Sequence, residues 1–409
     1  MHDFSRAVGF KLLAYGSLMA ACFLSENASS ASSTQSFQGK PAVTVLATHP
    51  KPRTTIDMGS VNVARLSFSP DSRYLAVGDA GSGDIIIWDL KLNREQTHIV
   101  PRSNGGLRGG LLLWFVGQEI LWSPDGRYIT NGVGVVSAKT QIQAQVEKKI
   151  EFWDPMSGKL IEELPAVAGY SRINWDGSKM LTFLMRDASK YAVYKTHTWS
   201  GQGFDTNGVV IDALTWTRED KILIVGAWPF WDGKRVLPLD QKGQSVPEGS
   251  AIAYLVDPTG KSDPKIEVLG RPVPNPNNHG TPPRPFRVPF ICHGIVVDFK
   301  SNKAALRCGN EVRVIDTRTL KTLFVHSEPE NTFIGDGEWG LAFSPDGKYL
   351  YMLAHSPNSQ AADSLVLNAN TGEQVGTFPS KTSWGLSISA NGKTMAIGNK
   401  HEIMLFDLY

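Results

Sequence analysis

Few residues in this sequence are spaced as catalytic groups usually are. The chain contains no HExxH, GxSxG or Walker sequence, and its nine histidines are scattered along its length. The polar residues that could converge on one site are Asp212, His293 and Glu338, which could act as general acid and base. Three such residues are few for a catalytic site. The sequence therefore favours a binding protein without a cofactor or a metal, and an enzyme is the alternative.

Two long segments combine aromatic residues with arginines, the residue types that dominate binding hot spots. The candidates in segment 227–250 are Trp228, Phe230, Trp231 and Arg235, and those in segment 270–289 are Arg271, Arg284, Phe286 and Arg287. The second segment has no acidic residue. Aromatic residues in a long loop can instead fold back as a small core. We expect that role for Trp228, and exposure for Phe286 and the arginines.

A second group of binding candidates contains two tryptophans, each followed by a glycine. Trp339 and Trp384 occupy equivalent places before apolar strands, with Glu338 next to the first and His293 at a similar point of another strand. Two indoles, an imidazole and a carboxylate could form a stacking platform for a ring or a proline-rich peptide. Packing between neighbouring repeat units is the alternative function of such tryptophans.

The amino-terminal region has the features of an export signal. A basic start is followed by the apolar run Leu12–Leu24, which is too short to span a bilayer. Ser29-Ser30-Ala31 fits a cleavage site, whereas Met19-Ala20-Ala21-Cys22 resembles a bacterial lipobox that would lipidate Cys22. We expect residues 1–36 to be signal peptide and linker. The remainder, 37–409, would be one domain that is periplasmic, secreted or held at the outer membrane by a lipid.

Seven copies of one short pattern follow this region. Each has an apolar strand, a tight turn of the Ser-Pro-Asp-Gly kind and a second apolar strand that ends near a glycine. The copies are Ala64–Asp79, Ile120–Gly132, Arg172–Leu184, Ala213–Gly226, Val296–Gly309, Gly340–Leu353 and Gly385–Gly398. A third strand ends in Trp-Asp at Trp88-Asp89 and Trp153-Asp154, and in relatives of that pair elsewhere.

These residues resemble WD40 repeats, and Val312–Lys321 (VRVIDTRTLK) is similar to the YVTN-type repeats of bacterial propellers. The resemblance covers nearly all of 42–409. It implies an all-β fold, a seven-bladed β-propeller with four strands in each blade around a central channel. It implies little about function, because propellers host many unrelated activities.

The repeat also predicts how the ring closes. The last copy is followed by only one more strand, Glu402–Leu408, so the last blade lacks its outer strand. The isolated apolar run Ala42–Ala47 could supply that strand as an N-terminal clasp and remove two exposed edges. We call the face on which the first strand of each blade begins the top face. The long segments 227–250 and 270–289 then belong to the top face, and the short turns to the bottom face.

Alignment of the first strands on their terminal aromatic residue gives two further expectations. It places Trp175 and Phe299 at the ends of first strands. It also places Arg65, Glu119 and Arg172 at one position of three neighbouring first strands, where they could form an ion ladder between blades or line the channel. By the same alignment Cys308 faces Val296 rather than Cys292, so the two cysteines should be too far apart for a disulfide unless the strand bulges.

Three classes of function remain. Lys and Arg total 41 against 39 Asp and Glu, so the overall charge gives no sign of a nucleic-acid partner, and none is predicted. A lactonase-like propeller enzyme and a scaffold subunit of an envelope complex are the alternatives. The sequence favours an exported binding module that contacts a protein, peptide or glycan through its top face.

Overall fold

The computed structural model describes residues 51–101, 119–132, 149–165, 170–183, 190–206, 209–228, 239–247, 249–271, 273–274, 286–287, 292–328, 333–334, 340–355, 363–380 and 385–408. All of them belong to one compact unit, Thr44–Tyr409. The regular structure of this described part is β-strand, joined by turns. Seven four-stranded antiparallel sheets, the blades, follow one another in a ring.

The strands occur in a regular order. A single strand, β1 (Thr54–Asp57), precedes the blades. Blade one comprises β2 (Val63–Phe68), β3 (Tyr74–Asp79), β4 (Ile85–Asp89) and β5 (Arg94–Ile99). Blade two comprises β6 (Glu119–Trp122), β7 (Ile129–Gly132), β8 (Lys149–Trp153) and β9 (Leu160–Pro165). Blade three comprises β10 (Tyr170–Ile173), β11 (Lys179–Phe183), β12 (Lys190–Lys195) and β13 (Gly201–Asp205). Blade four comprises β14 (Val210–Trp216), β15 (Ile222–Ala227), β16 (Ala251–Val256) and β17 (Lys265–Gly270).

The remaining blades include short additional strands. A hairpin of β18 (Val273–Pro274) and β19 (Phe286–Arg287) follows blade four. Blade five comprises β20 (Cys292–Asp298), β21 (Lys303–Cys308), β22 (Glu311–Asp316) and β23 (Thr322–Ser327). The next strands are β24 (Phe333–Ile334), β25 (Leu341–Phe343), β26 (Tyr349–Met352), β27 (Ala354–His355), β28 (Asp363–Asn368) and β29 (Gln374–Pro379). Blade six contains β25, β26, β28 and β29, and β24 pairs with β27. Blade seven comprises β30 (Gly385–Ile388), β31 (Thr394–Asn399) and β32 (Glu402–Asp407), and β1 is its fourth strand.

The hydrophobic core lies between neighbouring blades. One cluster joins Leu181 and Tyr191 of blade three to Trp216 of blade four, and another joins Ala305 of blade five to Leu350 of blade six. The strands are apolar on both faces because each blade is covered on both sides. Full burial of one such aliphatic side chain stabilises the fold by roughly 1.5–3 kcal/mol.

The turn between the first two strands is held by its own side chains. In blade two the Ser123 hydroxyl donates to Asp125 (2.7 Å) and accepts from the Tyr128 N–H (3.0 Å). The same pair of bonds recurs in blade six around Ser344. Gly126 has a φ of 73°, a conformation that costs glycine little. These bonds explain why the Ser-Pro-Asp-Gly pattern predicts the turn.

Two strand ends lie elsewhere than the sequence alignment predicts. Ile173 pairs with Met180 as Phe68 pairs with Leu75, so the first strand of blade three ends at Ile173 and Trp175 belongs to the turn. In blade five, Val297 pairs with Ala304, and Phe299 also belongs to the turn. The prediction was wrong by two residues in blade three and by one in blade five, because it took the aromatic residue as the strand end in these blades.

The ring closes through an N-terminal strand, as predicted, but through a different one. Strand β1 pairs antiparallel with β32, Thr54 opposite Leu405 and Asp57 opposite Glu402. The edge assigned to Ala42–Ala47 is therefore already occupied, and that run lies outside the described residues. Arg53 Nη1 also contacts Asp407 Oδ1 at 2.6 Å. The prediction used apolar character alone, whereas an edge strand needs only alternate buried residues.

Closure predicts a clear difference between two adjacent substitutions in β1. Ile56 is 3% exposed and packs in the core formed by blades one and seven, so Ile56→Ala should lower the free energy of unfolding by about 2–4 kcal/mol. Thr55 is exposed, and Thr55→Ala should change the free energy of unfolding by less than about 0.5 kcal/mol. Urea unfolding monitored by tryptophan fluorescence compares the two. Equal stability of the two variants would contradict closure by β1.

Candidate functional site

The structure describes only part of the predicted binding surface. Side chains are described for Trp228 and Arg271, and only the backbone for Phe286, Arg287 and His293. The candidates outside the described residues are Cys22, Phe230, Trp231, Arg235, Arg284, Glu338, Trp339 and Trp384.

Trp228 has a packing role, the alternative that the sequence favoured. Its side chain is 8% exposed and belongs to the core cluster of blades three and four. Its backbone N–H donates to the Ser250 carbonyl (2.9 Å), and its carbonyl accepts from the Gly249 N–H (2.8 Å). These bonds hold the two ends of segment 227–250 together, so Trp228 anchors the loop and is not free to contact a ligand.

The described tip of segment 227–250 extends away from the top face. The Gln241 N–H donates to the Ile266 carbonyl (3.2 Å) at the bottom end of β17. The Gln241 side chain donates to the Thr319 carbonyl (2.8 Å), which lies in a bottom turn of blade five. Val246 is fully buried in the same cluster as Trp228. The tip therefore covers the outer strand of blade four, and its assignment to the top face was wrong.

The connection between blades four and five forms a hairpin. Val273 pairs with Arg287 and Pro274 with Phe286, directly after β17 ends at the top face. Arg271 lies between β17 and the hairpin and is exposed, as the sequence predicted. The hairpin thus brings the backbone of Arg287 back towards that of Arg271, two positions that the sequence grouped only by composition.

A bulge at the top of the first strand places polar residues at one equivalent position. The register shifts between Ile211 and Ala213 in blade four and between Cys292 and Gly294 in blade five, so Asp212 and His293 are the inserted residues. The Asp212 carboxyl is enclosed although part of the residue stays accessible, and this burial raises its pKa to about 7. A hydrogen bond that the Cys292 N–H donates to this carboxyl lowers the pKa and so opposes the effect of burial.

The same bulge brings the two cysteines together. Cys292 pairs directly with Cys308, their Cα atoms lie 4.0 Å apart and the sulfurs form a disulfide. The prediction of unbonded cysteines was wrong for two reasons. Phe299 belongs to the turn rather than to the end of β20, and the bulge adds one residue to the strand, so that Cys292 lies opposite Cys308. The disulfide joins the top ends of β20 and β21. It therefore reinforces blade five next to the hairpin.

The charged residues of the first strands line the central channel. Arg65 and Arg172 border a cavity of about 510 Å³, and the Nη1 atom of each donates to the carbonyl of the preceding residue at 2.7 Å. The predicted channel lining is thus seen for these two arginines. Only the backbone of Glu119 is described, so the predicted ion ladder stays a prediction.

The described ranges hold no cluster of His, Cys, Asp and Glu suited to a metal ion. In the same ranges, no helix has the length and apolar character needed to cross a membrane.

The raised pKa of Asp212 predicts how stability depends on pH. Because the unfolded carboxyl has a pKa of about 4, the native state binds more protons between pH ~4 and ~7, and stability falls as pH rises through that window. Asp212→Asn lacks this titration. The free energy of unfolding of Asp212→Asn, minus that of the wild type, should therefore be larger at pH 8 than at pH 4.

Urea titrations at the two pH values test this expectation. Asp263→Asn is the matched control, because it makes the same substitution at an exposed residue of the same blade. An Asp212→Asn variant whose stability relative to the wild type is the same at both pH values would show that the carboxyl is not enclosed.

Comparisons with known proteins agree with this architecture. The family model "WD domain, G-beta repeat" matches residues 50–89, which include β1 and most of blade one. No curated protein matches the sequence. The β-propeller domain of Cps50 (Swd1) from Myceliophteria thermophila is 14% identical, with a TM-score of 0.59, over 88% of this chain and 100% of that one. At this identity the likeness concerns the fold alone. The repeat match over residues 50–89 and the seven-bladed ring together show a seven-bladed β-propeller that contains a WD40 repeat.

Proposed function

We propose that this propeller is a binding module that contacts a protein, peptide or glycan partner through the top face, at blades four and five. WD40 propellers typically act as protein-interaction modules, which supports the general part of the proposal. The particular surface is supported by the hairpin of β18 and β19, which projects from the top end of blade four next to exposed Arg271.

The hairpin is attached to rigid structure on both sides. It follows β17, whose Leu269 is buried in the core shared by blades four and five. It precedes β20, whose first residue is joined to β21 by the Cys292–Cys308 disulfide. Paired strands held in this way lose little conformational entropy on binding, which favours affinity.

The chemistry of the connection favours an acidic partner. Segment 270–289 contains Arg271, Arg284 and Arg287 and no acidic residue. Arginine binds carboxylates in a bidentate manner, and an aromatic residue such as Phe286 can stack on a sugar or a peptide side chain. A partner that presents carboxylates, whether a protein, a peptide or an acidic glycan, fits this composition.

Loss of Arg271, which precedes the hairpin, and of Arg287, which lies in β19, should weaken partner binding. Arg271→Ala with Arg287→Ala should reduce affinity by at least about tenfold, because charged hydrogen bonds are worth roughly 1.5–3 kcal/mol. The matched control is Arg318→Ala, which removes an exposed arginine from a bottom turn of blade five. Titration against a partner captured by the wild-type protein from an extract of the source cells measures both.

Circular dichroism checks that all variants are folded. If the double variant retains the partner and Arg318→Ala loses it, binding at the top face is excluded.

We also propose that the chain is exported. The apolar run Leu12–Leu24 supports this, as does the disulfide, because disulfides persist in oxidising compartments and are rare in the cytosol. Mass spectrometry of the mature protein should find an amino terminus at lipidated Cys22 or after Ala31. In the first case Cys22→Ala should release the protein from membranes, and in the second it should have no effect. An intact Met1 in the mature protein would contradict export by either route.

A further inference from the structure

The outer strand of blade five is apolar and uncharged. Strand β23 (TLFVHS) contains no Asp, Glu, Lys or Arg, and its residues Leu323 and Val325 are each 42% exposed. Among the described outer strands, the only other large apolar residue with comparable exposure is Ile161 in β9. A strand of this composition at the edge of a sheet is a site where another strand can pair.

The other outer strands each have a feature that protects a sheet edge from another chain. Charged residues occur in β1, β5, β9, β13 and β17. Strand β17 is also covered, because the Gln241 N–H donates to the Ile266 carbonyl (3.2 Å). Strand β29 has no exposed apolar residue and ends at Pro379. Strand β23 has no Asp, Glu, Lys, Arg or Pro, so its edge lacks this protection.

The backbone of β23 presents hydrogen-bonding groups at this edge. The Glu328 N–H donates to the Asn310 carbonyl (3.0 Å), and no register shift separates this bond from Val325. Because residues that bond to the neighbouring strand alternate along an antiparallel pair, the N–H and C=O groups of Val325 and Ser327 point outward. Strand β23 is the last strand of its sheet, so no described strand pairs with these groups. An added strand would bond to them.

The side chains of β23 hold the strand in place and leave one side open. Phe324 packs against the core shared by blades five and six. Val325 lies opposite Arg313, whose Nη1 donates to the Leu269 carbonyl of blade four (2.9 Å), so Val325 is on the side of blade four. The strand is therefore anchored by one side chain and exposes the next.

The same features favour a second copy of this chain as the added strand. Antiparallel pairing of two β23 strands about a twofold axis at Val325 brings the two Val325 side chains together. It brings no like charges together, because the only titratable residue of the strand, His326, contacts Glu328 of its own chain (2.7 Å). The formal net charge of +2 over 409 residues gives little repulsion between copies. A twofold interface uses the same patch on both copies, and a neutral strand is complementary to itself.

We propose that β23 pairs antiparallel with β23 of a second copy, so that blade five of each propeller forms one half of an eight-stranded sheet. Val325 lies at the twofold axis, and Val325 and Ser327 supply backbone bonds. A single pair of strands makes a smaller interface than the roughly 1,200–2,000 Å² of a stable complex, so the dimer forms only at high protein concentration. This interface uses neither β18 nor β19 and does not rest on the partner surface proposed above.

Sedimentation velocity over a range of concentrations tests the dimer. The wild-type protein should change from monomer to dimer between about 1 µM and about 1 mM. Val325→Lys places two like charges at the axis and should weaken dimerisation at least about tenfold. Ile161→Lys is the matched control, because it introduces the same charge at a comparably exposed apolar residue on the outer strand of blade two. It should leave dimerisation unchanged.

Two charged variants test whether Val325 lies at the axis. Val325→Glu should be as monomeric as Val325→Lys when each is alone. An equimolar mixture of the two should dimerise again, because the paired strands then carry opposite charges. This rescue separates loss of pairing from a folding defect, which mixing would not repair. Circular dichroism of each variant checks that it is folded.

Hydrogen exchange identifies the strand that pairs. Exchange in 322–327 should be slower at the highest protein concentration than at the lowest. A wild-type protein that is monomeric over the whole range would overturn the proposal, and so would a mixture of the charged variants that stays monomeric. A loss of dimer with Ile161→Lys equal to that with Val325→Lys would overturn it as well. Slower exchange in 322–327 only in the presence of the captured partner would assign this edge to that partner instead of a second copy.

Discussion

Pairing of β1 with β32 is the interaction on which the other parts of the structure depend. A ring of blades buries its core between neighbours, so every blade is stable only if both of its faces are covered. Ile56 and Met58 fill the core between blades one and seven, and the Phe68 N–H bonds to Ser387 Oγ across the same joint. Because residues early in the chain complete a sheet formed by its last described residues, the ring cannot close until nearly the whole domain is present. The channel around which the blades are arranged exists only in the closed ring.

Closure also explains why the two ends of the ring differ. Each bottom turn is fixed by short local bonds, such as those of Asp154, whose pKa is held below its ordinary value by the Ser157 N–H. Little can be added there without loss of the turn, so variation is restricted to single side chains such as Trp175 and Phe299. The connections at the top face have no such constraint and can lengthen into the hairpin between blades four and five. One fold therefore offers an extended surface at one end and short turns at the other.

Much of the fold could be predicted from the sequence, because the repeat encodes local chemistry. The Ser-Pro-Asp-Gly turns and the Trp-Asp strand ends predict seven blades, and the structure confirms them. Bulges are not visible in such a pattern, and the bulge at His293 misled the prediction for Cys292 and Cys308. The sequence predicts a strand end at Trp175, because first strands of other blades end in an aromatic residue, but Trp175 lies exposed in the turn. Of the predicted site, Trp228 is core and Arg271 is exposed, as the sequence predicts. Composition does not show which loops fold back, so the sequence places the tip of segment 227–250 on the wrong face.

The central claim is that a closed ring presents its partner surface at the top of blades four and five. Hydrogen exchange of the protein with and without its captured partner tests this most directly, because it reports on every loop at once. We predict that binding slows exchange in peptides covering 270–292 and leaves the bottom turns at 69–74, 123–128 and 344–349 unchanged. Protection confined to the bottom turns, with none in 270–292, would contradict the account.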